Sequence, residues 1–211
     1  MSNTRVLFLR HGQTYGNVDG LFCGQSETAL TPLGIAQARA AGKRLARPEF
    51  DGVRASDLSR ASDTAKYAIE ERPELAHSHD PRLREMHYGE WETRPVKEIS
   101  KESPDALHAF FRGDAAPGGE NVMQLRARMR EAVQEAVDAH RGGTVLLVSH
   151  GNAIMGMLAE FLQLPPEMTW AFACDNTSIT KVQFSPSGRF TLLSFNDAHH
   201  TVGLTEVTGD R

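Results

Sequence analysis

Arg10-His11-Gly12 stands directly behind the apolar run Val6-Leu7-Phe8-Leu9, and His150-Gly151 directly behind Val145-Leu146-Leu147-Val148-Ser149. Short runs that are apolar at successive positions suit strands buried on both faces. Each histidine therefore sits where a strand ends, and in open α/β sheets ligands bind at the carboxyl ends of strands. At the first of these ends a permanent cation and an imidazole are neighbours. The guanidinium offers a planar fork of donors that matches phosphate or carboxylate oxygens. An imidazole, with an unperturbed pKa near ~6.5, serves as a neutral nucleophile at physiological pH. Gly12 then allows close backbone approach or an unusual turn. Together these types suit nucleophilic chemistry on a bound oxyanion.

The elements that place these side chains follow from the pattern of apolar residues. Thr31-Pro32 reads as N-cap and first helical residue, with Ile35, Ala38, Gly42 and Leu45 at helical spacing, so a helix is expected over 32–46. A strand over 53–56 and a helix over 57–69 follow. Residues 81–91 read as a loop carrying Leu83-Arg84-Glu85. Two short helices fit 94–119, interrupted at Pro104 and closed by Pro117-Gly118-Gly119. Val122, Leu125, Met129, Val133 and Val137 mark one face of a long helix that Gly142-Gly143 ends. A strand over 144–149 and a helix over 154–162 come next. Segments 177–184 and 189–195 flank Ser185-Pro186-Ser187-Gly188 and read as a hairpin. This alternation predicts an α/β fold: a mainly parallel sheet flanked by helices on both faces, in one domain spanning residues 1–211, with a small helical cap over 94–119.

Composition narrows the function classes. A chain of 211 residues with 40% hydrophobic and 24% charged residues is globular and large enough to bury one core. A formal net charge of -4 gives no overall attraction to nucleic acid or acidic membranes, and neither is expected as a partner. No apolar run approaches the ~18–20 residues of a membrane span, and no signal-peptide core is evident near the start. Cys23 and Cys174 are far apart in a chain with 2 cysteines, so no disulfide or zinc set is expected and a reducing, cytoplasmic setting is the default. His87, His199 and His200 lack a carboxylate or cysteine at ligand spacing, so no metal is expected there. Trp91 and Trp170 read as packing residues. Oligomeric state stays open, a homodimer included.

The blocks around these residues carry a resemblance. Leu9-Arg10-His11-Gly12-Gln13-Thr14 with Asn17, then Leu30-Thr31-Pro32-Leu33-Gly34, then Ser56-Asp57-Leu58-Ser59-Arg60-Ala61-Ser62-Asp63-Thr64-Ala65, resemble successive motifs of the histidine phosphatase superfamily, the phosphoglycerate mutase-like group. Leu83-Arg84-Glu85-Met86-His87-Tyr88-Gly89-Glu90-Trp91, Gly118-Gly119-Glu120-Asn121 and Val148-Ser149-His150-Gly151-Asn152 complete the set in the family's order, over nearly the whole chain. The resemblance implies the phosphoglycerate mutase-like fold and roles residue by residue. His11 takes the phosphoryl group as phosphohistidine. Arg10, Arg60 and His150 surround the phosphate, His150 helping to neutralise it. Glu85 protonates the leaving oxygen and then deprotonates water. Asn17, Cys23, Gly24, Gly151 and Asn152 are the further substrate contacts. No metal or other cofactor is implied, because arginines supply the cations that phosphoryl transfer needs.

Several positions depart from the family pattern. Gln13 and Glu27 replace the usual glutamate and aspartate. Gly16 replaces the tryptophan usual before Asn17, which predicts a loosely packed loop. Cys23 stands where the mutase branch has a hydroxyl residue. Thr93 stands where glycine is usual, which leaves the path after Trp91 open. Between Glu85 and Glu120, Arg94, Lys97, Lys101 and Arg112 face Glu90, Glu92, Glu98, Glu102, Asp105 and Asp114, four cations against six anions. That lining is poor for a bisphosphate, and the arginine pair of the mutase branch is missing. The expectation is therefore a phosphomonoester hydrolase acting through a phosphohistidine on a small phosphorylated metabolite. A bisphosphoglycerate-dependent phosphoglycerate mutase is the alternative, to which Asn152 leans. A binding module that kept the pocket without turnover is disfavoured, since it could freely lose its nucleophile or acid.

Overall fold

The computed structural model describes residues 2–47 and 49–204. At its centre lies β1 (Thr4–Arg10), whose Val6, Phe8 and Leu9 are fully buried. It pairs in parallel with β4 (Thr144–Ser149) and antiparallel with β5 (Ile179–Phe184). The sheet has 6 strands in the order β3-β2-β4-β1-β5-β6. Here β2 is Gly52–Ala55, β3 is Ser78–His79 and β6 is Phe190–Asp197. The pairs β3/β2, β2/β4 and β4/β1 are parallel, and the hairpin β5/β6 adds the antiparallel edge. The expected α/β architecture and hairpin are present.

Side chains of a strand alternate between faces, and two hydrophobic clusters follow from that. Val6, Phe8, Val145 and Leu147 face one core, closed by Leu125 and Met129 of α6 (Val122–Ala139) and by Ile154 and Met157 of α7 (Gly151–Phe161). Leu7, Leu9, Leu146 and Val148 face the other. That core is closed by Ala41 of α2 (Pro32–Arg44) and by Ala61, Ala65 and Ala68 of α3 (Ser59–Ala68). The α2 start is fixed by Thr31, whose Oγ1 accepts from the Gly34 N–H at 3.0 Å. α6 starts with a capping box between Asn121 and Gln124. No helix among the described residues is long and apolar enough to cross a membrane.

The interrupted segment 94–119 holds α4 (Val96–Glu102) and α5 (Pro104–Phe111). Their Ile99, Leu107 and Phe110 are buried in the same core as Trp91, so this segment is seated on the main body. β3 shows no apolar period because its two residues are exposed and it is held by pairing with β2.

Two departures from the family pattern explain each other. A Cβ on buried Gly16 would stand 2.4 Å from Cys23 Sγ, so the missing side chain makes room for the thiol. The loop is also pinned by α1 (Tyr15–Val18), with a capping box between Thr14 and Asn17, and by Gly16 N–H donating to Thr28 Oγ1 at 3.1 Å. The expectation of a loosely packed loop is thus corrected. At Thr93 the backbone takes φ 65°, the left-handed region that favours glycine, so the chain keeps a glycine-like path. Its N–H donates to Phe22 O at 2.9 Å. A β-branched residue held there costs on the order of 1 kcal/mol or more. Thr93→Gly is expected to stabilise the fold by about 1 kcal/mol, read as a higher urea midpoint at unchanged slope. A lower midpoint would contradict the strained assignment.

Candidate active site

The register of the central pair fixes the site. Arg10 lies opposite Ser149, so His11 and His150 leave adjacent parallel strands at the same level. The His11 N–H donates to Ser149 O at 2.9 Å, and the two imidazole centroids are 5.1 Å apart. His11 Nδ1 lies 2.7 Å from Gly12 O. A carbonyl only accepts, so Nδ1 carries the proton and Nε2 keeps its lone pair. Gly12 itself is enforced by α2: a Cβ there would stand 2.4 Å from Gly34 O.

Both arginines are held by neutral acceptors. Arg10 Nη1 donates to Cys174 O. Arg60, 1% exposed, donates from Nη1 to Ser26 O at 2.8 Å, from Nη2 to Gly24 O at 2.6 Å and from Nε to His150 Nδ1 at 3.2 Å. Because His150 Nδ1 accepts, its proton is on Nε2, which donates to Ser56 Oγ at 2.8 Å. Burial, then Arg10 and Arg60, hold His11 well below the usual imidazole range. Burial, then Arg60 and His11, do the same to His150. Both rings are neutral in this arrangement. A second proton on His150 Nδ1 would face the Arg60 N–H.

Glu85 accepts from three backbone N–H groups: Met86 at 2.8 Å, Ala153 at 3.1 Å and Asn152 at 3.2 Å. The last two belong to the first turn of α7, where orphan donors favour a carboxylate. Its own carbonyl is clamped by Arg128 Nη2 at 2.8 Å, while Arg128 Nη1 donates to Arg82 O and Arg84 O. Arg128 is oriented by Glu120, at 3.0 and 2.5 Å. Arg84 forms a two-pronged pair with Asp57 at 2.7 and 2.5 Å.

These groups line a cavity of about 240 Å³. The structure brings to its wall Arg10, His11, Asn17, Cys23, Gly24, Arg60, Glu85, Gly151 and Asn152. His150 is the one expected site residue that does not line it, standing behind Arg60 at 0% exposure. Gly24 has φ 51°, and a Cβ there would stand 2.3 Å from Glu92 Oε1, which pins the loop by accepting from Gln25 N–H at 2.9 Å. Burial pushes the Cys23 thiol up, so it stays protonated. A larger cavity of about 430 Å³ lies at the opposite end of the sheet, between Thr4, Asp138, Arg141 and Phe184. Its Arg141 is paired with Asp138, and among the described residues no histidine or cysteine lines it.

Sequence reasoning missed Cys174, Asn176, Arg128 and Tyr88. Asn176 Nδ2 donates to His11 O at 3.1 Å and to Asn17 Oδ1 at 3.2 Å, joining the loop before β5 to the end of β1. Tyr88 lines the cavity and its hydroxyl accepts from Asn152 Nδ2. The signal for Tyr88 was its place beside Glu85 in one block. Asn176 and Arg128 offered none, because both act across more than 40 residues of sequence.

The Histidine phosphatase superfamily (branch 1) matches residues 6–198. The chain belongs to the histidine phosphatase superfamily. A Yersinia enterocolitica protein named "Probable phosphoglycerate mutase GpmB" is 33% identical over 186 residues, 87% of this chain and 86% of that one. Bacillus stearothermophilus YhfR superposes with a TM-score of 0.88 at 33% identity, covering 94% of this chain and 99% of its own. A mycobacterial glucosyl-3-phosphoglycerate phosphatase superposes with a TM-score of 0.83 at 36% identity, covering 91% of this chain and 98% of its own. The phosphoglycerate mutase-like fold expected of the superfamily is thus present.

The hydrogen-bond pattern makes an unequivocal spectroscopic statement. In ¹⁵N-histidine-labelled protein at pH 6.0, below the ordinary imidazole pKa of ~6.5, both site imidazoles are expected to be neutral. Their tautomers should be opposite, with Nδ1–H at His11 and Nε2–H at His150. A doubly protonated ring at either position at that pH would contradict this electrostatic picture.

Proposed function

We propose that this superfamily member hydrolyses phosphomonoesters through a phosphohistidine on His11. The observation that carries this reading is a neutral imidazole with a free Nε2 lining the same cavity as Arg10, Arg60 and Glu85. The ester's phosphoryl group, bearing about -1.5 to -2 charge, is held by the two guanidiniums. His11 Nε2 forms the N–P bond as the P–O bond to the alcohol breaks, and Glu85 gives its proton to the departing oxygen. A dianion beside Glu85 favours the protonated carboxyl that this step needs. Water then attacks phosphorus, Glu85 takes its proton, and phosphate leaves with His11 restored. His150 orients Arg60. The arginines supply the charge stabilisation without a metal. The partner is a small phosphorylated molecule, with neither nucleic acid nor membrane, and a homodimer remains compatible. Free Cys23 and Cys174 support a reducing, cytoplasmic setting.

The mutase reading is favoured by the name of the Yersinia relative and by Asn152 at the cavity wall. A mutase must hold a carboxylate and a second phosphate besides the group transferred. Arg10 and Arg60 are the only cationic side chains on the described cavity wall. In the segment after Trp91, Arg94 is paired with Glu98 and Glu102, and Lys97, Lys101 and Arg112 do not line the cavity. Water is therefore the expected acceptor.

Rapid quench with labelled ester should trap an acid-labile, base-stable phosphoenzyme, and His11→Ala should lose both label and turnover. Near-normal turnover of His11→Ala would remove the assignment. Given 3-phosphoglycerate and catalytic 2,3-bisphosphoglycerate, the enzyme should interconvert the isomers negligibly while releasing phosphate from a simple aryl ester. Isomerase turnover exceeding hydrolysis by orders of magnitude would promote the mutase reading.

A further inference from the structure

Beyond the phosphoryl-binding groups, one part of the cavity wall is apolar. Leu21, Phe22, Val96 and Met155 line it beside the half-buried thiol of Cys23. Phe22 is fixed in a cluster of rings, with Tyr88 at 4.9 Å, Trp91 at 5.5 Å and Phe110 at 6.2 Å between centroids. Val96 opens α4, whose backbone is tied to the loop before Leu21 by Val96 N–H donating to Gly20 O at 3.0 Å. Met155 projects from α7, the helix whose first turn holds Glu85.

Several polar atoms of the wall are already engaged within the protein. Asn17 Oδ1 accepts from Thr14 N–H and from Asn176 Nδ2, both at 3.2 Å. Asn152 Nδ2 donates to the Tyr88 hydroxyl, which burial and Glu85 keep protonated. Glu92, near the wall, is taken up by Gln25 N–H at 2.9 Å, Tyr88 N–H at 3.1 Å and Ser26 Oγ at 2.6 Å. No third cation lines the described wall, and Glu85 adds a carboxylate to it. A carboxylate or second phosphate on the leaving group would lose its hydration there and meet Glu85 with no counter-charge to offset the loss. An alkyl or aryl group would instead remove apolar wall from water.

We infer that the leaving group is an uncharged, predominantly apolar alcohol or phenol, and that Leu21, Phe22, Val96 and Met155 select it. This rests on the phosphatase reading and names the substrate class of the same site. A burial-driven preference shows itself in a homologous series, where the reacting bond stays constant and only apolar area grows. Burying a methylene is worth roughly a fourfold gain when complete, from about 0.8 kcal/mol.

The test is kcat/KM for ethyl, butyl and hexyl phosphate, set against 3-phosphoglycerate and glycerol 3-phosphate. These esters share alkoxide leaving groups, so differences report the wall. The expected result is a rise of about two- to fourfold per added methylene, with 3-phosphoglycerate at least tenfold below butyl phosphate. A flat or falling series, or a preference for 3-phosphoglycerate, would overturn the inference while leaving the phosphatase reading intact. Absence of phosphate release from every ester would overturn that reading, and this inference with it. Val96→Lys gives a second readout, the ratio of kcat/KM for 3-phosphoglycerate to that for hexyl phosphate. That ratio should move at least tenfold toward the carboxylated ester, whereas an unchanged ratio in a folded variant would show that this wall does not select the leaving group.

Discussion

Two guanidiniums at the catalytic cavity without a carboxylate partner are the constraint on which this molecule is built. Neither Arg10 nor Arg60 takes part in a salt bridge among the described residues, whereas Arg54, Arg82, Arg84 and Arg128 all do. Carbonyls of Cys174, Gly24 and Ser26 hold the two instead. Carbonyl acceptors satisfy N–H groups but leave the net charge in place, so the site carries positive charge that a phosphoryl dianion can neutralise. Arg126 is also held by carbonyls, of Leu164 and Pro165, yet it lines no described cavity and clasps α6 to the chain after α7. Together with burial, the retained charge lowers the proton affinity of the adjacent imidazoles and favours the neutral form of His11.

A site that holds such charge needs a rigid surround, and two charged pairs supply part of it. The Glu85 loop is fixed from one side by Arg128 with Glu120 and from another by Arg84 with Asp57. These half-buried, two-pronged pairs restrain backbone carbonyls, so their effect is positional as much as energetic. Thus Asp57 and Arg60, three residues apart, hold different parts of the site. Arg60 faces the phosphoryl site, while Asp57 steadies the loop that carries the proposed acid.

Much of this was legible in the sequence, for identifiable reasons. Val6–Leu9 and Val145–Val148 announce buried central strands because every side chain meets a hydrophobic layer. The residues following them are therefore placed at the sheet's carboxyl edge before any coordinates are known. Thr31 announces a helix start through a local cap. Contacts remote in sequence were not legible. β3 is two exposed residues defined by their pairing, and Asn176 reaches His11 from the far end of the chain. The neutral state of His150 also depends on Arg60 and Ser56 converging on its two nitrogens, which spacing alone does not reveal. At Gly16 and Cys23 the sequence displayed two departures, and only the packing shows that they are one.

The claim that the unpaired guanidiniums create the phosphoryl site is tested most directly by calorimetric titration of inorganic phosphate into the protein and into Arg10→Met and Arg60→Met. Charge-assisted hydrogen bonds of about 1.5–3 kcal/mol predict one phosphate per chain, with affinity weakened roughly 10- to 150-fold in each variant. Folded variants that bind phosphate as tightly as the parent would contradict the account.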